Sequence, residues 1–424
     1  MVEKNTFLGK NYPNSSVSPC PVGGSPLIGA TKVTPFFCFT NLASETTGGL
    51  KLFAFKILAN LIPRPSFLAA ALLAWYPRHQ RDLPWRHTRH PYPIWLSEVI
   101  LQQTRVAQGL PYYETFVAAY PTVQDLAAAP EAEVLRYWQG LGYYSRARNM
   151  HRTAQQVVTE FGGQFPSTYA GLLKLRGVGP YTAAAIASFA FDEAVAVLDG
   201  NVYRVLARIF GLHSDIAAPS SRKEFQALAD QHIPAGSPAD FNQAIMEFGA
   251  IQCTPAKPDC LFCPMQQQCW AFQHGQVALL PVKSKAKASR TRYFHYFVLR
   301  HGAHTYLRER REKDIWQGLY DFALAETTVP DLPTAELLRH LDALGAQLDT
   351  SQAAEPSATY RHVLSHQKLE ARFHEFPLTR PLPPATLRDL GLRAYSLAEI
   401  EALPKPQLIV NYWNQNGWLF SHSS

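Results

Sequence analysis

Four cysteines lie close together in this chain. Cys253, Cys260, Cys263 and Cys269 are spaced C-x6-C-x2-C-x5-C. Thiolates this near in sequence can wrap one soft metal centre. A structural zinc site more often draws on two C-x-x-C pairs, and Cys260/Cys263 is the single such pair in this run. Uneven loops between four thiolates also suit a 4Fe–4S cluster. The alternative is two disulfides or four buried thiols, which a reducing interior disfavours.

Two carboxyl groups stand where carboxyl groups are costly. Asp199 follows apolar Val197-Leu198 and precedes Gly200-Asn201-Val202. An acid embedded there is expensive unless it is paired or used; it can also simply cap a helix beginning near Val202. Glu98 lies on the apolar side of a helix, among Ile94, Leu96 and Leu101. A partly buried carboxyl has its pKa raised, which suits a general acid. A surface position, or an ion pair with Arg86, is the other reading. Between them in the chain, Leu175-Arg176-Gly177-Val178-Gly179-Pro180-Tyr181-Thr182 reads as helix end, glycine turn and new helix. Backbone N–H groups at such a turn can hold a phosphate without reading sequence, although many tight turns look alike.

The elements that must position these groups are mostly helical up to about residue 275. Ser66 is placed to cap a helix over Phe67 to Trp75. Pro91-Tyr92-Pro93 predicts an extended segment, followed by a helix over Trp95 to Ala107 with Ser97 near its start. Ala183 to Ala187 is a strong helix former. From Tyr293 the pattern changes: Tyr293–Leu299 and Thr305–Leu307 read as strands, and Thr334 to Leu344 as a helix. Between the two regions Lys283, Lys285, Lys287, Arg290 and Arg292 form a basic run, either a solvated linker or a stripe facing phosphate. Residues 1–65 are rich in Ser, Thr, Gly and Pro and read as a poorly ordered extension. Within it, Leu50 to Leu61 can form an apolar helical face for a partner or membrane, and Cys20 and Cys38 have no useful spacing. At 424 residues, net charge +7 and pI about 9.0, the chain allows two or three domains and a polyanionic partner. No apolar run is long enough to span a bilayer, and no secretory signal is evident.

The glycine turn, the Leu198-Asp199-Gly200-Asn201-Val202 segment and the cysteine run together resemble the endonuclease III superfamily of DNA glycosylases. Glu98 with Leu101-Gln102-Gln103-Thr104, and Gly140-Leu141-Gly142-Tyr143-Tyr144, narrow the resemblance to the MutY-type adenine DNA glycosylases. It covers Phe67 to about Trp270 well and the rest to about residue 420 more loosely. The fold it implies is multidomain. An all-α helix–hairpin–helix glycosylase core spans 66–275, with the hairpin at about 172–190 and an iron–sulfur loop at 253–269. A basic linker at 276–291 leads to a C-terminal α+β Nudix-like domain at 292–420.

What the resemblance implies about activity is excision of adenine mispaired with 8-oxoguanine, or with guanine, in duplex DNA. Glu98 would protonate the leaving adenine. Asp199, oriented by Asn201 and with Tyr181 beside it, would stabilise the oxocarbenium-like sugar. Trp85, Arg86 and Gln243 would line the adenine pocket. Gln103, Thr104, Leu141 and Tyr143 would wedge into or contact the duplex, and Gly177, Val178 and Gly179 would hold a phosphate. Cys253, Cys260, Cys263 and Cys269 would hold one 4Fe–4S cluster.

Relatives that cut the strand carry a lysine where this chain has Tyr181. A phenol forms no Schiff base, so the implied enzyme is monofunctional. In the C-terminal region Ser365 and His366 match a lesion-reading motif, with Leu364 replacing its usual aromatic. The Leu337–Gly345 segment lacks the glutamates of a working Nudix hydrolase, so no pyrophosphatase activity is expected. The expected partner is mispaired double-stranded DNA; the expected state is a monomer, cytoplasmic in a bacterium, acting at the nucleoid and away from membranes. A glycosylase for another lesion, and a non-catalytic cluster-bearing DNA-binding protein, are the competing readings. The second would not need both carboxylates.

Overall fold

The computed structural model describes residues 66–284, 289–339, 356–364 and 367–416. The helices with functional residues begin where the sequence supplies caps. Ser66 Oγ accepts from Ala69 N–H at 3.2 Å and opens the helix Phe67–His79. Asp199 opens Gly200–Phe210 by accepting from Val202 N–H at 2.8 Å. Gly179 opens Pro180–Phe191, with Pro180 in the first turn.

One expectation fails here. Pro91-Tyr92-Pro93 is not extended but forms the first turn of the helix Pro91–Ile100. Prolines are tolerated in that turn because its N–H groups lack intrahelical partners, and His90 Nδ1 accepts from Tyr92 N–H at 3.3 Å. The helix therefore starts four residues before Trp95, and Ser97 is internal, donating to Ile94 C=O. It also stops at Ile100, short of Ala107; after a turn, Val106–Ala119 begins a separate helix. Glu98 consequently sits in the last turn of its helix, immediately before the tight segment Leu101–Thr104.

The C-terminal region is a mixed sheet. Among the described residues its strands are β1 (Arg290–His301), β2 (His304–Glu309), β3 (Tyr320–Asp321), β4 (Ala323–Thr327), β5 (Tyr360–Val363), β6 (Gln367–Pro377) and β7 (Leu392–Ser396). The path runs β3-β2-β1-β6-β5, with β4 also paired to β1 and β7 to β2. β1 pairs with β6 in parallel, Tyr296 opposite Phe373, while the other pairings are antiparallel. Residues 294–299 of β1 are all buried, so both sheet faces are covered. The side chains alternate as strand geometry requires. Phe294, Tyr296 and Val298 join the hydrophobic core that continues into the helical region, whereas Phe297 and Leu299 join a smaller cluster with Tyr306 and Phe376.

The basic run enters this sheet. Arg290 starts β1, and Arg292 pairs with Glu326 and Asp314 at 2.7 and 3.2 Å. Arg292 is therefore an internal ion-pair partner, not part of a stripe facing phosphate. Lys285 and Lys287 lie outside the described residues, as do residues 1–65, His340–Gly345 of the expected helix, and Ser365 and His366.

Asp321 is completely buried and accepts from Arg310 at 2.7 Å and Arg308 at 3.2 Å. Removing one partner of a buried ion pair strands the other charge without solvent. Asp321→Ala should lower unfolding stability by roughly 3–5 kcal/mol. Chemical denaturation monitored at the C-terminal region checks this, and a loss below 1 kcal/mol would contradict it.

Candidate active site

Glu98 is 6% exposed and faces a cavity of about 340 Å³, part of it open to solvent. Trp85, Arg86, Ile94, Ser97, Phe189, Gln243 and Met246 line it with Glu98. Trp85 is fixed edge-on against Tyr113, their ring centroids 5.0 Å apart. Gln243 Oε1 accepts from the Tyr76 hydroxyl at 2.8 Å.

Glu98 and Arg86 do not form an ion pair. Arg86 donates to Glu247 Oε2 at 2.6 Å and to Arg81 C=O at 2.9 Å. The hydrogen-bond partner of Glu98 is Tyr181, whose hydroxyl donates to Oε2 at 2.6 Å. Burial pushes the Glu98 carboxyl up to about 7, with a smaller push from Asp199, and the Tyr181 bond and Arg86 only partly offset it. At neutral pH this group is poised between acid and anion.

Asp199 is half-buried beside Glu98. Its Oδ1 accepts from Val202 N–H and its Oδ2 from Asn201 Nδ2, each at 2.8 Å. Burial raises its pKa, against the pull of these hydrogen bonds and of Arg204 toward the anion. Capping and chemistry are compatible here because each carboxylate oxygen takes one of these donors and keeps a further acceptor site.

Asn201 is itself held. Arg204 donates to Asn201 Oδ1 at 2.8 Å, to Gly249 C=O at 2.7 Å and to Cys253 C=O at 2.8 Å. Gly249 permits this approach: a Cβ there would lie 2.6 Å from Asn201 Cβ. One turn along the same helix, Arg208 donates to Thr254 and Pro255 carbonyls and lies 3.4 Å from Cys253 Sγ.

The four cysteines are free thiols and partly buried. Burial raises the pKa values of Cys260, Cys263 (to about 11) and Cys269, and repulsion from the neighbouring cysteines adds to it. Among the described residues, no three His, Cys, Asp or Glu side chains close to a geometry that would hold a single metal ion.

The remaining expected positions differ in exposure. Gln103 and Tyr143 are exposed and both have positive φ, +55° and +49°. That conformation is uncommon for residues other than glycine and concentrates at functional turns. Thr104 is half-buried, and Leu141 is buried at 6% rather than protruding. Tyr144 is core, at 3%. In the glycine turn, Gly177 (φ +70°) and Gly179 are exposed, but Val178 packs inward, so it offers a ligand its backbone alone.

Glu247, the anchor of Arg81 and Arg86, was not singled out from the sequence. The signal was present: an acid inside the apolar run Ile245–Ile251, as for Asp199 after Val197-Leu198.

Residues 96–231 match the family model described as HhH-GPD superfamily base excision DNA repair protein, and residues 295–415 match the NUDIX domain model. The adenine DNA glycosylase of Buchnera aphidicola from Schizaphis graminum is 34% identical over 259 residues, 61% of this chain and 75% of that protein. The mouse adenine DNA glycosylase is 46% identical over 222 residues, 50% of this chain and 43% of that protein. The chain spans less than half the length of the mouse, rat and human relatives. A solved structure titled as a thermostable thymine-DNA glycosylase overlays with a TM-score of 0.45 at 32% identity, covering 49% of this chain and 95% of that one.

Glu247 is 1% exposed, and although burial opposes it, Arg81 and Arg86 bring its pKa from 4.5 down to about 2. A depressed carboxyl contributes stability above its unfolded pKa and loses it as pH falls through the folded one. Stability should therefore drop by about 3 kcal/mol between roughly pH 4.5 and 2 on account of this residue. Denaturation titrations should show a shallower acid limb in Glu247→Gln; an unchanged limb would contradict the assignment.

Proposed function

The chain belongs to the adenine DNA glycosylase family of helix–hairpin–helix base excision repair proteins, and on that premise we propose that it excises adenine from A:8-oxoguanine and A:G mispairs by hydrolysing the N-glycosidic bond. The observation that carries this reading is Glu98. It is a buried acid that forms no ion pair among the described residues, fixed by Tyr181 at the edge of a cavity open to solvent.

In this reading the extruded adenine enters that cavity, between Trp85, Arg86 and Gln243. Extrusion costs a few kcal/mol of stacking and pairing, which the exposed tips Gln103 and Tyr143 help meet by filling the duplex. Leu141, buried here, supports the turn that presents Tyr143. Glu98 gives its proton to the adenine ring, so the base departs neutral. The Tyr181 hydroxyl already donates to Oε2, so it supports the anion that Glu98 becomes. As the bond lengthens, positive charge grows on the sugar, and the Asp199 carboxylate faces it, held by Asn201 and Val202. Water completes hydrolysis. Tyr181 cannot form an imine, so the product keeps an intact strand with an abasic site. The N–H groups at Gly177–Gly179 hold a backbone phosphate, and Thr104 lies at the duplex-facing turn. Ser365 and His366 are assigned the reading of 8-oxoguanine.

The four thiols fit a shared cluster. Cys253 and Cys269 push up the pKa values of neighbouring thiols in this loop, so four thiolates here need positive charge beside them. A structural zinc site more often draws on two C-x-x-C pairs, whereas four thiolates separated by uneven loops suit a four-iron cluster. Cys253, Cys260, Cys263 and Cys269 would hold it, and it would thereby fix the loop whose Cys253, Thr254 and Pro255 carbonyls accept from Arg204 and Arg208. Anaerobically purified protein should contain about four irons per chain with acid-labile sulfide. One zinc per chain and no sulfide would overturn this.

Single-turnover excision on duplexes carrying A:8-oxoguanine, A:G, thymine glycol or no damage tests the function. Adenine release should dominate, with strand breaks appearing only after alkali. The rate should fall about tenfold per pH unit above roughly pH 7, where Glu98 loses its proton. Glu98→Gln should be inactive while still binding DNA, and Asp199→Asn should lose on the order of 10²–10³ in rate. Preferred release from thymine glycol, or near-normal excision by either variant, would reject the proposal.

A further inference from the structure

Arg146 lies under the two exposed tips and joins them. Its Nη1 donates to the carbonyls of Val99, Ile100 and Gln102 at 3.0, 2.9 and 2.7 Å. Its Nη2 donates to Leu141 and Gly142 carbonyls at 3.3 and 3.2 Å, and both nitrogens lie 3.4–3.5 Å from Thr104 Oγ1. The guanidinium also sits over the Trp138 and Tyr143 rings, 5.0 and 5.7 Å from their centroids.

These acceptors belong to two separate segments. Val99, Ile100 and Gln102 are at the C-terminus of the helix that bears Glu98, where carbonyls lack intrahelical donors and the helix dipole is negative. Leu141 and Gly142 precede Tyr143 in the second turn. Burial lowers the Arg146 pKa to about 10, with Tyr143 the one opposing influence and no acidic side chain among the contributors. A cation kept half-buried without a carboxylate is costly, yet here carbonyl dipoles from both turns surround it. Both turns also hold a non-glycine residue at positive φ, Gln103 and Tyr143. Backbone of that kind persists only where its surroundings over-determine it. Arg146 supplies that determination for both.

We propose that Arg146 is a positioning residue that locks the Gln103 and Tyr143 turns into one rigid wedge and ties that wedge to the Glu98 helix. Base extrusion and placement of the acid then occur as one motion. The proposal rests on the reading that these tips enter DNA. A lysine keeps the charge but lacks the planar fork that spans both turns at once. Gly142→Ala offers a second disturbance of the same joint: its Cβ would meet open space, but its φ of +72° opposes an L side chain.

The test compares wild type, Arg146→Lys and Gly142→Ala as full chains. Extrusion is read by fluorescence of 2-aminopurine at the target position, excision by single-turnover kinetics, and general binding by affinity for a duplex with a tetrahydrofuran abasic analogue, which has no base to extrude. Both variants should lose the fluorescence rise and excise on the order of 10²-fold more slowly, while binding the abasic duplex like wild type. A folded variant that extrudes and excises normally overturns the proposal. So does a parallel loss of abasic binding, which would mean a role in folding alone. If Arg146→Lys does not fold, Gly142→Ala decides by the same criteria. A wild type that extrudes a base other than adenine defeats the substrate reading alone, and the comparison is then made on that base. A wild type that extrudes none defeats both.

Discussion

A carboxylic acid buried without a cation is the constraint around which the helical region is built. Glu98 accepts from the Tyr181 hydroxyl, and its charged form is unfavourable in that setting. The nearest guanidinium, Arg86, is engaged elsewhere by Glu247. Were Arg86 free to pair with Glu98, the acid would be an ordinary anion with no proton to give at neutral pH. The position of Glu247, deep between Arg81 and Arg86, therefore bears on the chemistry of a residue it does not touch.

The second carboxylate is also pushed up by burial, but it has donors that the first lacks. Asp199 sits at a helix N-terminus with two donors, and the helix dipole also favours its charge. Two like groups side by side in different environments is the arrangement by which one site holds an acid and an anion together. The Asp199 side is braced from behind, through Asn201 and Arg204, to the loop bearing Cys253. The Glu98 side is braced through the end of its own helix to Arg146. Each carboxyl is thus tied to an arginine whose main acceptors are backbone carbonyls, on the Asp199 side through the Asn201 side chain.

Much of this was legible in the sequence, and the reasons are local. Asp199 announced itself because an acid after Val-Leu must be capped, paired or used. The glycine turn was visible because Gly177 needs positive φ. The change to strands at β1 was visible as a change of residue type. What was not legible depends on contacts distant in sequence. Glu247 lies 161 residues from Arg86, and no spacing rule links them. Arg146 carried no mark beside Tyr143-Tyr144-Ser145, because its acceptors are backbone carbonyls 44 to 47 residues earlier, which have no sequence signature. The early helix start at Pro91 was misread by applying to a helix N-terminus the rule for a helix interior. The burial of the Leu141 and Val178 side chains within glycine-flanked turns was likewise not legible, because it depends on what packs against those turns.

The central claim is that burial lifts the Glu98 carboxyl to near neutrality, so that a substantial protonated fraction remains at physiological pH. A carbon-13 NMR titration of the side-chain carboxyls, with Glu98→Gln identifying the resonance, measures this without reference to any substrate. The account predicts a midpoint near 7 for Glu98. A midpoint near the ordinary glutamate value of about 4.3 would contradict it, and with it the assignment of Glu98 as the proton donor.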